Sequence, residues 1–187
     1  MGRTRIIALR LAPLLLVCAV FALPSGTAAA SPCSYAQLIP SSTNGAQVRA
    51  ATLCLINHER TRRGLAPLKS NRHLLKAAGR YSGLMVNERF FGHVSPGGST
   101  LVNRVRKGTT YLRGARRWAL GENLAWGSGK LATPSYTVKA WMNSPGHRRN
   151  MLTPGFRHIG IGVVTGAPVA TKVLAAATYT TDFGRRS

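Results

Sequence analysis

Two histidines and one carboxylate are the residues of this chain best placed to do chemistry. His93 lies in Phe91-Gly-His-Val-Ser-Pro96, a glycine-rich break after a helical stretch, and His147 follows Ser144-Pro145-Gly146 at once. Glu122 lies 29 residues after His93 and 25 before His147, in Gly121-Glu-Asn-Leu124, which reads as a glycine-flanked turn. The chain has four acidic residues, Glu59, Glu88, Glu122 and Asp182, against 26 lysines and arginines. In so basic a chain a salt bridge is the ordinary fate of a carboxylate. Glu122 is the exception, because its neighbours Trp118, Leu120 and Leu124 are apolar and burial beside histidines would give it a reason to be there. Asp182 closes the last predicted strand, where a carboxylate accepts backbone N–H bonds.

Three chemistries are open to this set. A cleft holding two imidazoles and a carboxylate can bind a ligand or a partner. The same trio matches a His₂Glu zinc set with water in the fourth position. Hydrolysis needs a nucleophile as well. Ser95 and Ser144 are near the histidines in sequence, but no Gly-x-Ser-x-Gly elbow is present and Asp182 would have to orient a histidine.

The elements that must position these residues can be read from periodicity. A helix is predicted from Ala46 to Arg63, with Val48, Ala51 and Leu55 on one face and Gly64 as its stop. Glu59 shares the face of Leu55 and is predicted to point inward, toward an arginine or a backbone group. A second helix runs from Asn71 to Arg89, capped by Ser70, with Leu74, Leu75, Ala78, Tyr81 and Met85 inward. A short helix follows from Thr100 to Lys107, and residues 108–117 read as loop. Thr133-Pro134 starts another helix, which Ser144-Pro145-Gly146 breaks, leaving His147 in a rigid turn. Arg157–Thr165 and Lys172–Phe183 read as an antiparallel strand pair joined through Gly166 and Pro168. In Ile159-Gly-Ile-Gly-Val163 the glycines leave one face bare, open to a packed element or a ligand. Helices at both ends of a small sheet imply an α+β sandwich.

Residues 1–30 read as a cleavable signal peptide: Arg3, Arg5 and Arg10, an apolar run from Leu11 to Leu23, then Ala28-Ala29-Ala30. Residues 31–45 form a short leader and 46–187 the domain. In an oxidising compartment Cys33 and Cys54 can pair and staple the leader to the first helix; two free thiols are the alternative. The formal charge of +22 falls to +19 without the three leading arginines. It predicts attraction to anionic cell-wall polymers or phospholipid headgroups. The basic residues are scattered, with no aromatic-interleaved stripe, so specific nucleic-acid recognition is not expected. A monomer is expected.

Taken together, Phe91–Pro96, Gly121–Leu124, Trp141-Met-Asn-Ser-Pro-Gly-His147 with Arg148 and Asn150, Ile159–Val163 and Asp182-Phe-Gly184 resemble the CAP superfamily. This is the cysteine-rich secretory, antigen 5 and pathogenesis-related-1 group, in its bacterial SCP-like branch. Leu55-Ile-Asn57 with Arg60, Gly64-Leu65 and Pro67-Leu68 extend the resemblance over residues from about 50 to 184. It implies a three-layer α-β-α sandwich with a central antiparallel sheet and an open cleft. The cleft of that group holds two histidines and two acids, of which His93, His147 and Glu122 match three. Ser144 stands where animal and plant relatives have the second glutamate, and Tyr179 and Thr181 replace the tryptophan and glutamine usual in bacterial members. The function this implies is a secreted, non-enzymatic domain whose cleft binds an apolar or anionic ligand, such as a lipid, or a cell-surface partner. No particular cofactor is implied; a divalent metal such as zinc on His93, His147 and Glu122 is the alternative reading.

Overall fold

The alternation Ile159-Gly-Ile-Gly-Val163 governs how the layers meet. In the computed structural model, which describes Met1 and residues 33–170 and 175–187, it forms the centre of a strand, His158–Thr165. The elements in order are α1 (Gly45–Thr61), β1 (Lys69–Ser70), α2 (Arg72–Asn87), α3 (Leu101–Gly108), β2 (Trp118–Ser128), a 3₁₀ turn (Gly129–Ala132), α4 (Pro134–Asn143), α5 (Pro145–Leu152), β3 (His158–Thr165) and β4 (Ala176–Arg186). The sheet order is β1-β3-β4-β2. The three long strands are antiparallel as expected, while the two-residue β1 pairs in parallel with β3 where the chain turns from α1 into α2.

Alternate residues of a strand face opposite sides. Ile159 and Ile161 join one core with Val48 and Ile56 of α1, Val138 and Trp141 of α4, and Met151 of α5. On the other face a Cβ on Gly160 would overlap the carbonyl carbon of Leu74, and one on Gly162 would overlap the Ala78 oxygen. The bare face is therefore the seat of α2, and no ligand can reach it. Leu74 and Ala77 of α2 pack with Val105 of α3 and with Tyr111 to complete that layer. The result is a three-layer α-β-α sandwich.

Local chemistry explains where the elements begin. Asn71, not Ser70, caps α2: its side chain accepts from the amides of His73 and Leu74, because Ser70 is already paired in β1. Ala77 takes the inward place predicted for Leu75, which is half-buried. α1 ends before Gly64, whose φ of 71° suits glycine. The inward charge on α1 is Arg60 rather than Glu59. Arg60 is fully buried and donates to the carbonyls of Ala66, Met151, Thr153 and Phe156. Glu59 is half-buried and paired with Arg62 and Arg63. A guanidinium has five donors to offer carbonyls, which a carboxylate lacks, so it suits this carbonyl-lined interior better.

Cys33 and Cys54 are bridged, with their Cα atoms 5.8 Å apart. The link ties residues before α1 to α1 itself, and Ser135 N donating to Ala36 O extends the seam to α4. The predicted signal peptide, apart from Met1, lies outside the described residues. Among those described, no helix is long and apolar enough to cross a membrane.

β4 begins at Ala176 rather than Lys172, and residues 171–174 lie outside the described part. It also runs past Phe183 to Arg186, so Asp182 sits within the strand instead of closing it. Asp182 is level with Glu122 on β2 and Gly160 on β3, on the face that α2 covers. It is fully buried, and neither carboxyl oxygen has a hydrogen-bond partner among the described residues. Burial first, then the charge of Glu122, lifts its carboxyl well above the usual carboxylate range.

Two outcomes are expected. Gly160→Val forces α2 off the sheet and costs about 3 kcal/mol or more; an unchanged melting midpoint would contradict the seat. Folding raises the affinity of Asp182 for its proton, so its contribution is most favourable below the unfolded value of about 4 and is lost as pH rises through the raised folded value. Asp182→Asn removes that loss. Its melting midpoint at pH 7 should equal or exceed that of the wild type, with a flatter profile above pH 4. A lower midpoint at pH 7 would show that the carboxylate is needed.

Candidate functional site

β2 ends the sheet, so alternate carbonyls along it have no strand to pair with. Side chains from the α4–α5 layer take them. Asn150 Nδ2 donates to Glu122 O at 2.9 Å, and Trp141 Nε1 donates to Leu124 O at 3.0 Å. Asn123 Nδ2 in turn donates to His147 O at 3.0 Å and accepts from Asn150 at its own oxygen. This lacing fixes His147 beside the edge. His147 sits in the first turn of α5, not in a loop, because Pro145 starts a new helix directly after α4 ends.

Glu122 belongs to β2 and not to a turn, and its side chain faces the α2–α3 layer. That side chain is 4% exposed. His93 Nδ1 meets Oε1 at 2.8 Å, and Arg104 Nη2 donates to Oε2. A carboxylate held by arginine accepts, so Nδ1 carries a proton, and in a neutral ring the lone pair would lie on Nε2. The His93 side chain is 58% exposed. An acid clamped in the interior thus orients a ring at the surface.

Arg104 organises the loop that carries His93. Its Nη1 donates to His93 O at 3.1 Å and to Ser99 O at 2.8 Å. Its guanidinium lies 3.3 Å from the ring centroid of Tyr81, whose hydroxyl donates to Gly92 O at 2.6 Å. Ser95 is buried in the same loop, and its Oγ accepts from Ser99 N at 3.0 Å. His147 reaches no side chain of the group by hydrogen bond. Burial, and after it the charge of His93, lowers its basicity below the ordinary histidine range.

His93 and Glu122 are therefore in contact, with His147 an electrostatic neighbour of His93. Asp182 lies behind Glu122 and reaches neither histidine by hydrogen bond. Arg104 and Tyr81 went unrecognised as site residues. Glu122 among apolar neighbours called for a counter-charge, yet nothing in the sequence separates Arg104 from the other arginines. Both glutamate oxygens are committed to Arg104 and His93. Any metal here would be held by His93 Nε2 and His147, with Glu122 orienting His93 from behind.

Residues 53–178 match the CAP family, the cysteine-rich secretory protein family. YkwD of Bacillus subtilis (strain 168) is 39% identical over 119 residues, covering 63% of this chain and 43% of its own. The membrane protein YlbC of the same strain is 33% identical over 111 residues, covering 59% of this chain and 30% of its own. The matches thus span less than half the length of these two relatives. An extracellular protein containing a SCP domain from Bacillus anthracis superposes with a TM-score of 0.58 at 26% identity, over 78% of this chain and 44% of that one. An outer surface protein from Borrelia burgdorferi gives a TM-score of 0.59 at 23% identity, over 72% of this chain and 90% of that one, and shares the fold. The family match, the layered fold and the residues lining the β2 edge together place this chain in the cysteine-rich secretory protein (CAP) family.

Proposed function

We propose that the chain is a secreted, non-enzymatic CAP domain whose cleft at His93, Glu122 and His147 binds a ligand or a cell-surface partner. The observation that carries this reading is the double commitment of Glu122. With one oxygen on Arg104 and the other on His93, both its oxygens are engaged within the protein, and it holds the His93 ring in one orientation at the surface. Export is supported by the pattern of residues 1–30, by the Cys33–Cys54 bridge and by likeness to an extracellular SCP-domain protein. Hydrolysis is disfavoured. Ser95 is buried with its oxygen accepting an amide, and Glu122 occupies the orienting place that Asp182 would need.

The test is extraction of protein recovered from the medium of an expressing host, followed by mass spectrometry. Wild type should carry a small molecule or polymer fragment that His93→Ala/His147→Ala lacks. Identical extracts would remove the cleft from ligand binding.

Metal binding is the second reading, favoured by the free Nε2 of His93 beside a histidine held neutral. A bound dication would supply Lewis acidity or a structural tie between the rings. Because burial lowers the basicity of His147, its ring is neutral at pH 7, and protons compete with a metal for it only below the ordinary histidine range. Zinc calorimetry should then show one site in wild type at pH 7.4, weakened at pH 5.5 and absent in His147→Ala. Equal binding by both proteins assigns the metal to surface histidines such as His58 and His73. No binding by either leaves the cleft to an organic ligand.

A further inference from the structure

At the far ends of the strands four arginines line one cavity. Arg117 precedes β2, Arg157 precedes β3, and Arg185 and Arg186 close β4; with Gly155 and Ser187 they enclose about 330 Å³. The strand register brings them together: Trp118 pairs with Arg186, and Arg157 N donates to Gly184 O. The cavity shares no lining residue with the His93–Glu122–His147 cleft.

The four do not play the same part. Arg157 is anchored on the carbonyls of Pro154 and Phe156, and Arg186 on those of Tyr111 and Arg113. Arg185 lies against the bare backbone of Gly155, where a Cβ would come within 3.6 Å of its Cδ. Among the described residues, the side chains of Arg117 and Arg185 make no hydrogen bond or ion pair, and no Asp or Glu side chain lines the cavity. Two guanidiniums are thus fixed and two are unspent, around one hollow.

The surroundings register this concentration of charge. Arg60 is made less basic by burial and then by Arg157, and His158 by burial and then by Arg186 and Lys69. Four like charges gathered with no Asp or Glu side chain among them raise the energy of the folded state, and a bound anion relieves it. Planar guanidiniums fit phosphoryl oxygens in pairs, which carboxylate-poor lysine patches do not.

We propose that this cavity is an anion site taking a ligand with two neighbouring phosphoryl groups, which Arg117 and Arg185 grip while Arg157 and Arg186 shape the walls. The site is independent of the function proposed for the cleft.

Calorimetric titration with inorganic pyrophosphate at about 0.15 M salt tests it, since diffuse surface attraction is largely screened there. Three proteins are compared: wild type, Arg117→Gln/Arg185→Gln, and Lys76→Gln/Arg80→Gln, which removes equal charge from the outer face of α2. Melting midpoints establish that both variants fold. Wild type and the α2 variant should bind alike, and Arg117→Gln/Arg185→Gln should bind at least roughly tenfold more weakly. Equal weakening in both variants, equal affinity in all three, or no binding by wild type would overturn the proposal. Co-sedimentation with cardiolipin vesicles, whose headgroup carries two phosphates, distinguishes the source. The same ordering of the three proteins there assigns the site to a lipid headgroup, and ordering with pyrophosphate alone assigns it to a soluble phosphoryl ligand.

Discussion

The site depends on one buried ion pair, Arg104 with Glu122. A carboxylate almost wholly withdrawn from water needs a counter-charge, and removing one partner of such a pair costs about 3–5 kcal/mol. Arg104 does more than neutralise. From α3 it reaches β2 through Glu122, the preceding loop through the carbonyls of His93 and Ser99, and α2 through the Tyr81 ring. One side chain therefore joins four parts of the chain around the histidine that faces solvent. Asp182 shows why the pair cannot be doubled. The single guanidinium beside the two acids is spent on Glu122, so Asp182 is left favouring its neutral form.

Elsewhere the excess of cations is used against carbonyls. With 26 basic residues and four acids, ion pairing can occupy only a few arginines. Arg60, Arg157 and Arg186 each donate to backbone oxygens at chain reversals that no strand or helix satisfies. Arg60 does so while fully buried, holding the turn that leads from α5 into β3. Such tethers need no carboxylate, unlike the Arg104–Glu122 clamp. This explains how so basic a chain folds without a matching set of acids.

Much of the fold was legible, because it follows from local patterns. The glycine alternation at Ile159–Val163 announced a layer pressed onto the strand, and Thr133-Pro134 announced the start of α4. The resemblance grouped His93, Glu122 and His147; His93 Nδ1 meets Glu122 Oε1 at 2.8 Å, while no hydrogen bond joins the His147 ring to either. What escaped were features decided by tertiary contact. Gly121–Gly127 contains glycines that read as a turn, yet Gly121 and Gly127 are close-approach positions in β2, against Phe156 and the Leu131 carbonyl. Glu59 and Arg60 are adjacent, and periodicity alone chose the wrong one to bury. Only carbonyls contributed from residues 66 and 151–156 decide in favour of Arg60. Ser70 and Asn71 are likewise equivalent as caps until β1 claims Ser70.

The place of β2 at the end of the sheet makes a shared cleft possible. Were another strand paired beyond it, the α5 side and the α2–α3 side would be separated by continuous backbone, and His147 could not influence His93. Ending the sheet there leaves carbonyls that would invite a foreign strand, and Trp141 and Asn150 occupy two of them. The same lacing that protects the edge delivers His147 to it. A ligand held by both rings would therefore bridge the two helical layers directly, around an edge to which the Asn123–His147 bond already ties α5. Were such a ligand bound, the ring orientation that Glu122 already gives His93 would leave less ordering to oppose it.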